Sequence, residues 1–131
     1  HMLADWRQVE ADYYARTGIF PIMHVMAMKR DVYDRNPWVA RELLKAFEAA
    51  KDRSLKRAFN YSASRLPIPW GYALAEEAKA TFGDDYFPYG VEANRKTLEA
   101  YLQYAYEQGV CARPLEVEEL FPPEVGGLYK T

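Results

Sequence analysis

The sequence predicts a mostly α-helical fragment of a larger α/β protein, with four to five helices and one buried strand. Apolar residues recur at helical spacing in several segments. Residues 19–28, in contrast, are apolar almost without a break. A run of that length between a glycine and a charged segment is typical of a strand that is buried on both faces. The chain offers no second strand to pair with it.

Composition predicts a single domain of ordinary globular type. Of the 131 residues, 50% are hydrophobic and 27% are charged, which excludes the disordered and fibrous classes. His1 and Met2 have the form of a tag remnant, so we expect residues 3–131 to form the domain. The formal net charge of −2 gives no electrostatic reason to bind nucleic acid. No apolar run approaches the roughly 18 residues of a membrane span.

The first helix and the strand are expected to follow each other directly. Residues 3–16 carry an apolar stripe at helical spacing, and Gly18 is placed to end that helix. Residues 19–28 then form the predicted strand. Pro21 near the start of this run fits the first part of a strand or an edge position.

The longest helix is predicted over residues 37–59. Asn36 is a favourable residue to cap a helix, and Pro37 suits the first helical position. Two prolines make residues 60–69 a loop. Three shorter helices follow, and the second of them is preceded by an aromatic turn over residues 84–90. Their predicted ranges are 70–82, 92–108 and 114–120, with an irregular tail over 122–131.

A single buried strand cannot satisfy its own backbone hydrogen bonds. Its backbone donors and acceptors need partners, because unpaired buried groups are costly. The chain is therefore expected to be part of a larger α/β protein or to pair with another copy of itself. We predict a homodimer or higher oligomer, with residues 20–28 in or next to the interface.

His24 is the candidate for acid or base chemistry, since it is the one histidine outside the tag remnant and titrates near neutral pH. One interpretation is a core histidine that is hydrogen-bonded to backbone. The other is a catalytic group near the end of a strand, where open α/β sheets place their ligand crevice. Thr17 and Gly18 would then supply backbone donors at the same crevice. A single cysteine, Cys111, excludes a disulfide framework and, with one native histidine, a Cys/His zinc site.

Two charged features have a structural and a functional interpretation. The basic excess between residues 41 and 57 favours a solvated helix face over a phosphate-binding face, because Asp52 precedes Lys56 by four residues. Asp84 and Asp85 are interpreted as part of a turn, with a weak cation site as the alternative.

Three stretches of the sequence resemble the 4,5-dihydroxyphthalate decarboxylase family. They read ADYYARTGIFPIMHVMAMKRDVYDRNPWVA, GDDYFPYGVEANRKTLEAYLQYAYEQG and ELFPPE. The segment TGIFPIMH, the helix start NPWVA and the GDD-aromatic-PYG turn are together fairly specific. The resemblance extends over residues 3–131 in order, and it identifies the chain as similar to the C-terminal part of the family.

This resemblance implies a fold similar to the type II periplasmic binding proteins, with two α/β lobes around a cleft. It implies decarboxylation of an aromatic carboxylate in phthalate catabolism, without a cofactor and in the cytoplasm, with the 131-residue chain inactive alone. The alternative is a periplasmic solute-binding protein of an ABC-type transporter that binds a small aromatic or carboxylate ligand. Within that frame the chemistry favours His24 as the acid or base, and Arg16 or Arg65 as the cation that holds a substrate carboxylate.

Overall fold

The computed structural model describes residues 4–62 and 67–126. Within these ranges the protein is built from six α-helices and one 3₁₀ turn, which confirms the mostly helical fold class. None of the described helices is both long and apolar enough to span a membrane. The elements are α1 (Trp6–Thr17), α2 (Arg30–Arg35), α3 (Trp38–Ala58), α4 (Gly71–Phe82), α5 (Val91–Glu107), α6 (Val117–Leu120) and the 3₁₀ turn (Pro123–Val125).

Five of these helices lie where the apolar spacing predicts them. α3 begins at Trp38, so Pro37 immediately precedes the helix and is not its first residue. α2 is not predicted, because six residues are too few to show a helical period. It is held by Arg35, whose guanidinium donates to the carbonyl and the carboxylate of Asp31, each at 2.9 Å.

The prediction of a buried strand is wrong for the described part of the chain. Residues 18–29, which we call the α1–α2 segment, are neither helical nor paired as a strand. Met23, Val25 and Met26 expose 67%, 64% and 69% of their surface. A strand requires a hydrogen-bonded neighbour, and the described residues provide none, so this apolar run stays irregular and open to solvent. The two-lobed periplasmic-binding-protein-like architecture stays a prediction.

The core lies where α5 meets α6. Val91, Leu98, Leu102 and Val117 are buried there, and Val117 is 2% exposed. α6 is short, but a reciprocal pair of side-chain hydrogen bonds between Glu116 and Glu119 and the backbone caps its start. Leu115, Phe121 and Val125 pack around the edge of the cluster, so the chain after α5 folds back onto that helix.

α4 contacts the first helix and the segment that follows it. The ring of Phe82 at the end of α4 meets Tyr14 of α1 edge-on, with centroids 4.7 Å apart, and Phe20 of the α1–α2 segment at 5.0 Å. Arg7 of α1 also forms an ion pair with Glu77 of α4. Phe20 is thus the point at which the α1–α2 segment is attached to the helices.

Candidate functional site

His24 lies in the exposed part of the α1–α2 segment, four residues after Phe20. The interpretation of His24 as a core histidine is therefore wrong, because its side chain faces solvent. No hydrogen bond or ion pair to His24 is found in residues 4–62 and 67–126. The imidazole is thus available to an incoming molecule, and its catalytic role stays a prediction.

Thr17 and Gly18 form the end of α1, and their polar groups are used within the chain. The Gly18 N–H donates to the Tyr14 carbonyl at 2.6 Å, in a left-handed backbone conformation with φ +66° that favours glycine. The Thr17 hydroxyl donates to the Tyr13 carbonyl at 2.7 Å and accepts from the Ile19 N–H at 3.1 Å. These bonds fix the direction in which the segment leaves the helix. Ligand binding by Thr17 and Gly18 stays a prediction.

Two cations flank this helix end. The Arg16 guanidinium lies 5.8 Å from the ring centroid of Tyr13. Lys96 approaches from α5, and its Nζ would be 3.6 Å from a Cβ placed on Gly18. Within the described ranges neither cation forms an ion pair with a carboxylate. An arginine and a lysine with unneutralised charge are suited to hold an anion.

Sequence reasoning finds Arg16 and misses Lys96. Lys96 occupies an ordinary position on an amphipathic helix, and the 77 residues between it and Gly18 leave no local signal of their proximity. Arg65, the other predicted carboxylate-binding residue, lies outside the described residues.

Lys51 is a second feature that the sequence does not distinguish. It sits in a basic helix, yet it is 8% exposed. Its ammonium lies 2.8 Å from Glu48 and 2.7 Å from Asp85, and 4.8 Å from the ring centroid of Tyr89. Burial acts to lower the pKa of Lys51, but the hydrogen bonds to Asp85 and Glu48 outweigh it and hold the pKa above its ordinary value. The contacts join α3 to the aromatic turn before α5.

The remaining charged features have structural roles. Asp85 pairs with Lys51, and Asp84 pairs with Lys79 at 2.7 Å, so the interpretation as a turn element is confirmed. Lys45 pairs with Glu42 at 3.0 Å on the exposed side of α3, as a solvated helix face requires. No cluster of three metal-ligating side chains occurs in the part of the chain that the structure describes.

Comparison with known proteins relates the chain to a class of enzymes, the decarboxylases. One relative is the 4,5-dihydroxyphthalate decarboxylase of Comamonas testosteroni, which is 29% identical to this chain over 123 residues. The match covers 94% of this chain, so the predicted resemblance is confirmed. The chain spans 37% of the length of that relative. No family model matches the sequence. The match favours a decarboxylase-like protein over the solute-binding alternative.

Proposed function

We propose that the chain is part of an enzyme that removes carbon dioxide from an aromatic carboxylate such as 4,5-dihydroxyphthalate. The observation that carries the proposal is the similarity to a decarboxylase over nearly the whole chain. The catalytic unit is the full two-lobed protein, and the 131-residue chain alone releases no carbon dioxide. Cytoplasmic catabolism of phthalate-like compounds is the corresponding cellular role.

The structure of the proposed substrate dictates what the site must do. Each carboxylate of 4,5-dihydroxyphthalate has a hydroxyl group para to it on the ring. A base that removes the hydroxyl proton pushes electron density to the carbon bearing the carboxylate, and an acid protonates that carbon. The carbon–carboxylate bond then breaks, its electrons restore the aromatic ring, and carbon dioxide leaves. The reaction needs one base, one acid and a cation for the spectator carboxylate, and no redox partner.

His24 supplies the acid or the base in this proposal. Its imidazole is exposed on a segment that leaves α1 at Gly18 and is attached at Phe20. Arg16 and Lys96 at the end of α1 supply cations that no described carboxylate neutralises. We propose that the aromatic acid binds where the α1–α2 segment leaves α1, with His24 as the titratable group and Arg16 and Lys96 as the cations.

The α1–α2 segment also carries the proposed assembly. Its apolar side chains are exposed in the described structure, and we propose that a second chain or the other lobe covers them. In the oligomer, residues 20–28 lie in or next to the interface.

The test is turnover of 4,5-dihydroxyphthalate by the complete product of the gene. His24→Gln keeps the size and polarity of the side chain but removes proton transfer, so we expect turnover to fall by roughly 100-fold or more. The melting temperature should change little, because glutamine replaces the imidazole with a polar side chain of similar size. Lys29→Gln, an exposed residue of the same segment that lies outside the proposed interface, is the matched control and should keep normal turnover. Normal turnover in His24→Gln would remove His24 from the mechanism.

A further inference from the structure

The α1–α2 segment is partly buried near its two ends and exposed between them. Phe20 is partly buried, residues 21–27 are all exposed, and Met28 is partly buried again. His24 lies at the middle of the exposed run, four residues from Phe20 and four from Met28. The position of His24 therefore depends on how the two ends of this run are held.

Three aromatic rings hold the end of the run that follows α1. Phe82, the last residue of α4, meets the ring of Tyr14 with centroids 4.7 Å apart and the ring of Phe20 with centroids 5.0 Å apart. The interplanar angles are 64° and 68°, which is the edge-to-face arrangement that aromatic pairs favour. We call these three residues the aromatic clamp. Phe82 contacts both other members, so it joins the start of the segment to α1 and α4.

Hydrogen bonds support both sides of the exposed run. The Ile19 N–H, one residue before Phe20, donates to the Thr17 hydroxyl at 3.1 Å. Beyond the run, the Tyr33 hydroxyl of α2 donates to the Glu124 carboxylate at 2.8 Å. The aromatic clamp is thus the side-chain attachment on the side of His24 that faces the end of α1.

Small changes at the aromatic clamp are large enough at His24 to matter for proton transfer. Four residues of extended chain reach at most about 14 Å, so a change of about 10° in chain direction at Phe20 displaces His24 by about 2 Å at full reach. A misplacement of about 1 Å can lower turnover roughly 100-fold. A histidine that transfers a proton from this run therefore requires that Phe20 be held in one orientation.

We propose that Phe82 is a positioning residue, which holds the α1–α2 segment through the aromatic clamp and thereby sets the position of His24. Phe82 touches no substrate in this proposal and acts through Phe20. The catalytic part of the inference rests on the proposed function. The attachment of the segment by Phe82 is measurable without turnover.

The first test is steady-state turnover of 4,5-dihydroxyphthalate by the complete gene product. Phe82→Leu keeps an apolar side chain and removes the ring, so we expect kcat to fall at least about tenfold. KM should change less than about threefold, because the cations at the end of α1 are retained. Phe82→Tyr keeps the ring and should hold kcat within about twofold of the wild type.

Phe59→Leu is the matched control. Phe59 also meets two rings edge-on, those of Tyr72 and Tyr86, each with centroids 6.4 Å apart, and both lie outside the α1–α2 segment. A purely structural effect of losing a ring should lower the melting temperature in Phe59→Leu and Phe82→Leu alike. Only Phe82→Leu should lower kcat, and an equal fall of kcat in Phe59→Leu would overturn the positioning role.

Hydrogen exchange in the 131-residue protein tests the attachment independently of turnover. The Ile19 N–H reports whether the start of the segment is held, because its acceptor is the Thr17 hydroxyl at the end of α1. Phe82→Leu should speed exchange of this amide at least about tenfold, and Phe59→Leu should leave its rate unchanged. An unchanged Ile19 rate or a normal kcat in Phe82→Leu would overturn the proposal. A complete wild-type protein that releases no carbon dioxide would refute the proposed function instead, and the Ile19 rate would still decide whether Phe82 holds the segment.

Discussion

Replacement of Lys51 tests how α3 is joined to the aromatic turn. Lys51→Met keeps the apolar stem and removes the charge, so Glu48 and Asp85 lose their shared partner. A hydrogen bond between charged groups contributes about 1.5–3 kcal/mol when buried and an exposed ion pair about 0.2–1 kcal/mol. The Glu48 and Asp85 side chains are 25% and 48% exposed, which places their contacts between these limits. With the Tyr89 contact added, we expect a loss of about 2–3 kcal/mol.

Urea denaturation, followed by circular dichroism, measures this loss as a change in the free energy of unfolding. Lys45→Met is the matched control, because Lys45 is on the same helix, pairs with Glu42 and is 54% exposed; it should change stability by at most about 0.5 kcal/mol. The pKa of Lys51 is raised on folding, so its contribution is complete below the unfolded pKa of about 10.4 and disappears as pH rises through the folded pKa. The wild type should therefore lose its advantage over Lys51→Met in strong base. A stability of Lys51→Met within about 0.5 kcal/mol of the wild type would refute the reasoning.

Two further predictions concern acid stability and assembly. Hydrogen bonds from Arg113 and from the Glu116 backbone lower the pKa of Glu119 to about 2. Glu119 therefore stabilises the fold above its unfolded pKa of about 4.3, and this stabilisation is lost as pH falls toward 2. Arg113→Gln should reduce the loss of stability between these two pH values, and an unchanged dependence of stability on acid pH would contradict the role given to Arg113. Sedimentation of the 131-residue protein should show a dimer or larger species. Met26→Lys should dissociate or aggregate this species, because Met26 is 69% exposed in the segment expected to pair. A wild-type monomer at all concentrations, or a Met26→Lys oligomer like that of the wild type, would contradict the proposed assembly.

Helical periodicity predicts most of the fold because each long helix buries a stripe of its own residues. α5 illustrates this, since Leu98 and Leu102 are four residues apart and are both buried. The strand prediction fails for a physical reason. An apolar run indicates that a segment is suited to burial. A strand also needs a neighbouring strand to pair with, and the pattern of residues 19–28 does not indicate whether such a strand is present.

The candidate site could be predicted only in its local part. His24, Thr17 and Gly18 are close in sequence, so the glycine that ends α1 and the histidine beyond it are visible as a pattern. Lys96 lies on α5, and Asp85, which pairs with Lys51, lies in the aromatic turn. Both are distant in sequence from the residues they approach, and their positions depend on tertiary packing. The sequence does not distinguish a buried lysine from an exposed one, so the charge pattern of α3 predicts that Lys51 lies on a solvated face.

The most direct test of the central claim is the reaction of 4,5-dihydroxyphthalate with the complete gene product in D₂O. We predict release of carbon dioxide and a product that carries one deuterium at the ring carbon that lost its carboxylate, because an acid protonates that carbon. His24→Gln should lose both signals in parallel. A complete, folded protein that releases no carbon dioxide and leaves the ring unlabelled would contradict the account.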